Sequence, residues 1–153
     1  MSRPEESEAE RTARNWDEIL QELRVTQTGT QVLLGFLLTI PFQSGFDDLA
    51  GGQIAIYLAL VVVAAVAAIL ALTPVALHRA LFRRNAKLQL VFAAHLLLRL
   101  ALAAIALALS GTVFLIFDVV VDHVAALVAG GAMLVLTASV WAVLPAVVGG
   151  PRR

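Results

Sequence analysis

Residues 49–77 read LAGGQIAIYLALVVVAAVAAILALTPVAL, twenty-nine positions without one charged side chain. At ~1.5 Å per helical residue such a run exceeds the ~30 Å hydrocarbon core of a bilayer, and it shows almost no polar face that would let it lie on a soluble domain. Working outward, three more uncharged stretches appear: Val25 to Phe46, Leu100 to Phe117, and Val124 to Val148. Over all 153 residues, 60% are hydrophobic and 14% charged, and the mean hydropathy is +0.89. These values belong to a membrane protein. The expected fold is all-α, a four-transmembrane-helix bundle with spans at about 25–46, 53–77, 95–117 and 123–147 inside a domain covering 25–148.

The charges between the spans set the orientation. Arg3, Arg11, Arg14 and Arg24 precede the first span; Arg79, Arg83, Arg84 and Lys87 separate the second from the third; Arg152 and Arg153 follow the fourth. The other two connections hold Asp47 and Asp48, and Asp118 and Asp122, with no Lys or Arg. Positive residues resist translocation, so both termini and the middle connection are expected in the cytoplasm of a multi-pass cell-membrane protein. Only an even number of spans satisfies this distribution. Trp16 and Trp141 fall near the inner boundary and Tyr57 near the outer one, as amphipathic rings prefer. No cleavable signal peptide is expected, because the N-terminal segment is acid-rich and no small-x-small site follows the first apolar run.

Eleven Lys plus Arg balance eleven Asp plus Glu, which gives no electrostatic basis for binding nucleic acid. The chain has no cysteine and three scattered histidines. That leaves no thiolate, no disulfide and no spacing suited to a metal site. No Ser-His-Asp set or paired carboxylates emerge either, so neither an enzyme nor a cofactor is expected.

Residues 1–13, with Pro4 and four glutamates, are expected to form a disordered acidic tail. From 14 to 24, Trp16, Ile19, Leu20 and Leu23 repeat at helical spacing, with Asn15 and Glu18 as an approximate capping box. This is read as an amphipathic cytoplasmic helical extension running into the first span. Its acidic face suits a protein surface better than anionic lipid. The five residues 149–153 form a short cytoplasmic tail.

The candidate site residues lie on the first span, which is polar over its inner half, near the inner end of the third, and on the fourth. Arg24, Thr28, Gln31, Gly35 and Thr39 share a helical stripe on the first span, with Gln27 beside it and Gly29 as a second small position. Glutamine amides are costly against lipid, so the stripe faces protein or water: either it packs helices together or it lines a pore. Ala126 and Gly130 form a small-xxx-small pair on the fourth span, with Gly131 adjacent; a close helix crossing is one reading and a flexible joint the other. In the third segment Arg99 lies nineteen residues before Asp118, about 28 Å along a helix, which puts it at the inner headgroups. If the span begins near Leu88 instead, Arg99 is deep and faces a partner or cavity. His95 stands one turn earlier. Glu22 is the nearest expected carboxylate for Arg99 in either register, and the apolar face of residues 16–23 is expected to cover the stub at 88–98.

The run Asn15-Trp16-Asp17-Glu18-Ile19-Leu20-Gln21-Glu22-Leu23-Arg24, continued by Gln27-Thr28-Gly29 and Leu37-Leu38-Thr39-Ile40-Pro41-Phe42, resembles a family of small actinobacterial membrane proteins of unknown function. The basic stretch His78-Arg79-Ala80-Leu81-Phe82-Arg83-Arg84 belongs to the same likeness, which extends over residues 15–148. The resemblance implies a four-span fold and a membrane location. Some members carry a sodium:proton antiporter label, which implies ion exchange. The residues themselves offer a different expectation, because all eleven acidic side chains fall outside the apolar spans, where an exchanger needs one. The expected role is structural or regulatory, through contacts with the bilayer, with further copies of the chain or with another membrane protein; the alternative is an oligomeric ion channel or transporter.

Overall fold

Glu8, Ala9, Glu10 and Ala13 combine helix-favouring side chains with negative charge where a helix dipole welcomes it. In the computed structural model, which describes residues 8–81 and 87–148, α1 accordingly begins at Glu8 and runs unbroken to Thr39. The expected tail is therefore shorter, since residues 8–13 are helical, and Asn15 is an interior position rather than a cap. Residues 1–7, 82–86 and 149–153 lie outside the described residues. So do the side chains of Trp16, Ile19 and Leu20 and those of the basic stretch from His78 to Lys87.

Pro41 ends α1 by withholding an N–H, and a short 3-10 turn follows at Ile40–Phe42. The next helices are α2 (Gly51–Leu81), α3 (Lys87–Val120) and α4 (His123–Val148). Three stretches are long and apolar enough to cross a membrane: Gly51–Leu77, Phe92–Val120 and His123–Val143. Among the described residues α1 is not one of them, because Thr26, Gln27, Thr28, Thr30 and Gln31 dilute its apolar half.

The four helices do not close into a ring. Helix α3 is the hub and touches α1, α2 and α4; α1 also packs on α2, while among the described residues α4 meets α3 alone. Alanines carry the central seam, with Ala64, Ala67, Ala71, Ala94, Ala101 and Ala108 all buried. Their small side chains let the α2 and α3 backbones approach closely. Gly111 extends the seam: a Cβ there would collide with the side chain of Leu60.

Two clusters fix α1 against this seam. Leu37 is buried with Tyr57, Leu60, Ala64 and Leu115 at one end, and Leu23 with Ala94 and Leu98 at the other. Of the apolar face expected over residues 16–23, Leu23 is thus seen against the start of α3. Tyr57 adds a specific tie. Pro41 leaves the Leu37 carbonyl without its usual helical donor four residues on, and the Tyr57 hydroxyl donates to that carbonyl at 2.8 Å. The tyrosine is 2% exposed and stands edge-on to Phe46, with centroids 5.3 Å apart. The position read as an outer-boundary anchor is thus an interhelical fastener. Replacing Tyr57 by Phe keeps the ring but orphans the carbonyl. A loss of about 1–2 kcal/mol is expected, measured by denaturant titration in mixed micelles; an unchanged midpoint would show that the bond contributes nothing.

Candidate functional site

Three polar features stand out on this apolar frame. The first is the outer face of α1. Arg24, Thr28, Gln31, Gly35 and Thr39 are all exposed, with Gln27 half-buried beside them. The threonine hydroxyls are satisfied within the helix: Thr26 donates to the Glu22 carbonyl at 2.8 Å, Thr28 to Arg24 at 3.0 Å and Thr30 to Thr26 at 2.7 Å. A glutamine amide has no such local outlet. Among the described residues Gln31 makes no hydrogen bond, and neither Gly29 nor Gly35 has an atom of another element near the place a Cβ would take. The stripe therefore faces away from α2 and α3. The two glycines read as helix-packing positions have open space beside them within the chain.

The second feature ties the opposite ends of α2, α3 and α4. Gln53 donates from Nε2 to Asp118 Oδ2 at 2.9 Å and accepts from the Ala50 N–H at 3.0 Å, half of a capping box at the start of α2. His123 Nδ1 lies 2.7 Å from Asp118 Oδ1, and its ring stands edge-on to Phe114 at 5.7 Å. Asp122 caps α4 by accepting the Ala125 N–H at 2.8 Å. One carboxylate thus joins a glutamine sixty-five positions away to the histidine that opens the last helix. The sequence reading placed Asp118 and Asp122 in an acidic loop and passed over Gln53 and His123. The cap at Asp122 carried a local signal; the Gln53 contact carried none.

The third feature is a pair of grooves flanking the start of α3. One, of about 570 Å³, lies between α1 and α3 and is lined by Gln21, Glu22, Val25, Thr26, Leu98 and Leu102. The other, of about 480 Å³, lies between α3 and α4, with Arg99 and Trp141 among its lining. Glu22 and Arg99 therefore look into different grooves and form no ion pair, which corrects the expectation that they meet. The cause is angular: Leu98 and Leu102 face α1, and Arg99 is turned about 100° from Leu98 around the helix. Arg99 is exposed and, among the described residues, has no partner; His95, one turn away, is also exposed and unbonded.

The fourth span's small residues are split in the same way. Ala126 is fully buried, and at Gly130 a Cβ would come within 2.8 Å of Phe114 Cβ and 3.3 Å of both Phe114 Cα and the Ser110 carbonyl oxygen. Gly131 has nothing within 4 Å. The close approach of α4 to α3 thus passes through Gly130.

The arrangement offers helix contacts, an end clamp and two grooves. Among the described residues no group of three His, Cys, Asp or Glu is placed to hold a metal ion. A family model matches residues 5–145, from ahead of α1 to near the end of α4. The chain belongs to a family of unknown function, DUF6328. The matched stretch takes in α1, α2, α3 and all but the last three residues of α4, so DUF6328 membership extends over the packed helices as a unit. No curated protein and no solved structure matches it.

Proposed function

We propose that the chain is a small integral membrane protein that crosses the bilayer four times, with both ends and the basic connection in the cytoplasm, and acts by contact between the outer face of α1 and a neighbouring membrane-embedded chain. Three of the helices qualify for the bilayer by length and apolarity. For α1 the support is positional. It is buried against α2 and α3 at Leu23 and again at Leu37, fourteen residues or about 21 Å apart, so it accompanies them through most of the hydrocarbon depth despite its own polarity. Four crossings also match the charge distribution.

The observation that carries the contact reading is Gln31. Its amide stands exposed and, among the described residues, unbonded near the middle of that depth, where lipid offers no hydrogen-bond partner. Gly35, one turn on along the same stripe, has open space beside it, which allows another helix to come close. A protein that works in this way is structural or regulatory, and it needs no bound cofactor.

The absence of cysteine makes the test direct. A cysteine at Gly35, in native membranes treated with a membrane-permeant thiol and amine cross-linker or with oxidant, is expected to give one adduct of defined mass. The same residue at Ile69, exposed on α2, is expected to give none. Adding Gln31→Leu should reduce the α1 adduct several-fold. Equal cross-linking from both positions would overturn the proposal. If purified protein in sealed vesicles dissipated a sodium or proton gradient, and Gln31→Leu stopped it, the stripe would be a pore lining instead.

A further inference from the structure

We infer that the groove between α3 and α4 is a binding site for an anionic glycerophospholipid of the cytoplasmic leaflet, with its phosphate on Arg99 and one acyl chain between the helices. The inference rests on the membrane reading above. The groove exists because of where the two helices touch. They are drawn together at Gly130, Phe114 and Ser110, and away from that crossing, toward the cytoplasmic ends, a channel of about 480 Å³ is left open.

Its lining follows two helical stripes. On α3 these are Arg99, Ala103, Ala106 and Leu107, with Leu102 on the ridge shared with the other groove; on α4 they include Ala138 and Trp141. The alanines leave room, and the leucines supply an apolar wall that runs about 12 Å from the level of Arg99 toward the bilayer centre. A helix about 10 Å across would fill roughly 900 Å³ over that length, so a volume of about 480 Å³ suits a hydrocarbon chain better.

The charge selects the headgroup. Arg99 is the one basic residue outside the cytoplasmic connections and termini in the sequence, and it has no carboxylate partner among the described residues. Glu22, the nearest candidate, opens into the other groove. A guanidinium at the cytoplasmic boundary, in a groove otherwise lined by leucine, alanine and tryptophan, gains most from a phosphate, which it can grip with two parallel N–H donors. Basic pockets between transmembrane helices on this side recruit anionic lipid by the same physics. Trp141 shares the groove and is 41% exposed, a placement suited to an indole at the headgroup level. His95 stands one turn farther toward the cytoplasm on the Arg99 stripe, within reach of a larger headgroup.

Trp141 also makes the site measurable. The chain has two tryptophans, so Trp16→Phe leaves Trp141 as the only one. This protein is reconstituted into phosphatidylcholine vesicles containing a small fraction of phosphatidylglycerol. The bromine quencher is carried on the acyl chains of one lipid or the other, and each sample is floated on a density gradient to score insertion. At equal mole fraction, brominated phosphatidylglycerol is expected to quench Trp141 with about five-fold higher apparent affinity than brominated phosphatidylcholine. Arg99→Gln should bring the two lipids level, and Arg99→Lys should keep most of the preference. Ala138→Leu, with the arginine intact, should also reduce the preference by filling the chain slot.

Equal quenching by the two lipids in floated wild-type protein would overturn the site. A preference lost in Arg99→Gln but untouched by Ala138→Leu would reduce it to surface charge and overturn the groove. Trp141 shielded from both lipids would mean that a second protein fills the groove, which also overturns it. Failure of the protein to float would remove the membrane reading itself, a result distinct from all of these.

Discussion

Gly130→Leu is expected to release α4 from the rest of the molecule. Helix α4 is held by α3 alone among the described residues, and their closest approach passes through Gly130, where even a methyl group would sit 2.8 Å from Phe114 Cβ and 3.3 Å from backbone atoms of Phe114 and Ser110. Backbone cannot rotate out of the way as a side-chain end can. The whole helix has to move, and the expected loss is at or above the top of the ~1–3 kcal/mol range for overpacking a close contact. Gly131→Leu places the same side chain one residue on, in open space, and should cost less than about 0.5 kcal/mol. Gly111→Ala should fall between them, since the atom it meets is the branched end of Leu60. Titration with denaturing detergent in mixed micelles ranks the three. Equal stability of the Gly130 and Gly131 variants would show that α4 is not seated by this crossing.

These glycines also show what could be read from the chain. The small-xxx-small spacing of Ala126 and Gly130 identified the surface of α4 that meets a neighbour, because close helix packing demands a missing side chain at one-turn intervals. Gly29 and Gly35, also read as helix-packing positions, stand six residues apart on different faces, and neither has an atom of α2 or α3 within 4 Å of the place a Cβ would take. Spacing identifies a face of a helix but not its neighbour. The choice was made instead by Leu23, Thr30 and Leu37, whose buried stripe on the opposite side of α1 meets α2 and α3. Gly111, which does form part of the seam, has leucines at i ± 4, Leu107 and Leu115, and its small neighbour Ala108 stands at i − 3, so the small-xxx-small spacing did not mark it.

Some limits of helices followed from local chemistry. Pro41 stopped α1 and Asp122 capped α4, while α2 and α3 run past their uncharged stretches, α2 to Leu81 and α3 from Lys87 through Asp118 to Val120. What escaped were relations across the chain. The separation of Glu22 from Arg99 depends on the rotation of α3 about its axis, which the alanine seam sets through contacts with α2. The Gln53 bond to Asp118 joins positions brought together only when α2 and α3 run antiparallel side by side. The open arrangement, in which α4 touches neither α1 nor α2 among the described residues, has no signature in hydropathy, since outward-facing and helix-facing surfaces are equally apolar here.

The largest all-or-none effect expected concerns α1. Its polar residues keep it from qualifying as a crossing helix on hydropathy, yet it packs along α2 and α3 from Leu23 to Leu37. If α1 crosses with them, the chain's start and the α1–α2 turn lie on opposite sides of the membrane; if three helices alone cross, they lie on the same side. Single cysteines in this cysteine-free chain separate the two cases. Gly45→Cys and Val121→Cys, both at exposed positions, should react nearly completely with a membrane-impermeant maleimide added to intact cells. Ser2→Cys and Arg153→Cys should react only after the membrane is permeabilised. Labelling of Ser2→Cys and Gly45→Cys under the same condition would confine α1 to one side. It would also return Gln31 to water and remove the reason for a partner on that face, because a hydrated amide needs no helix to satisfy it.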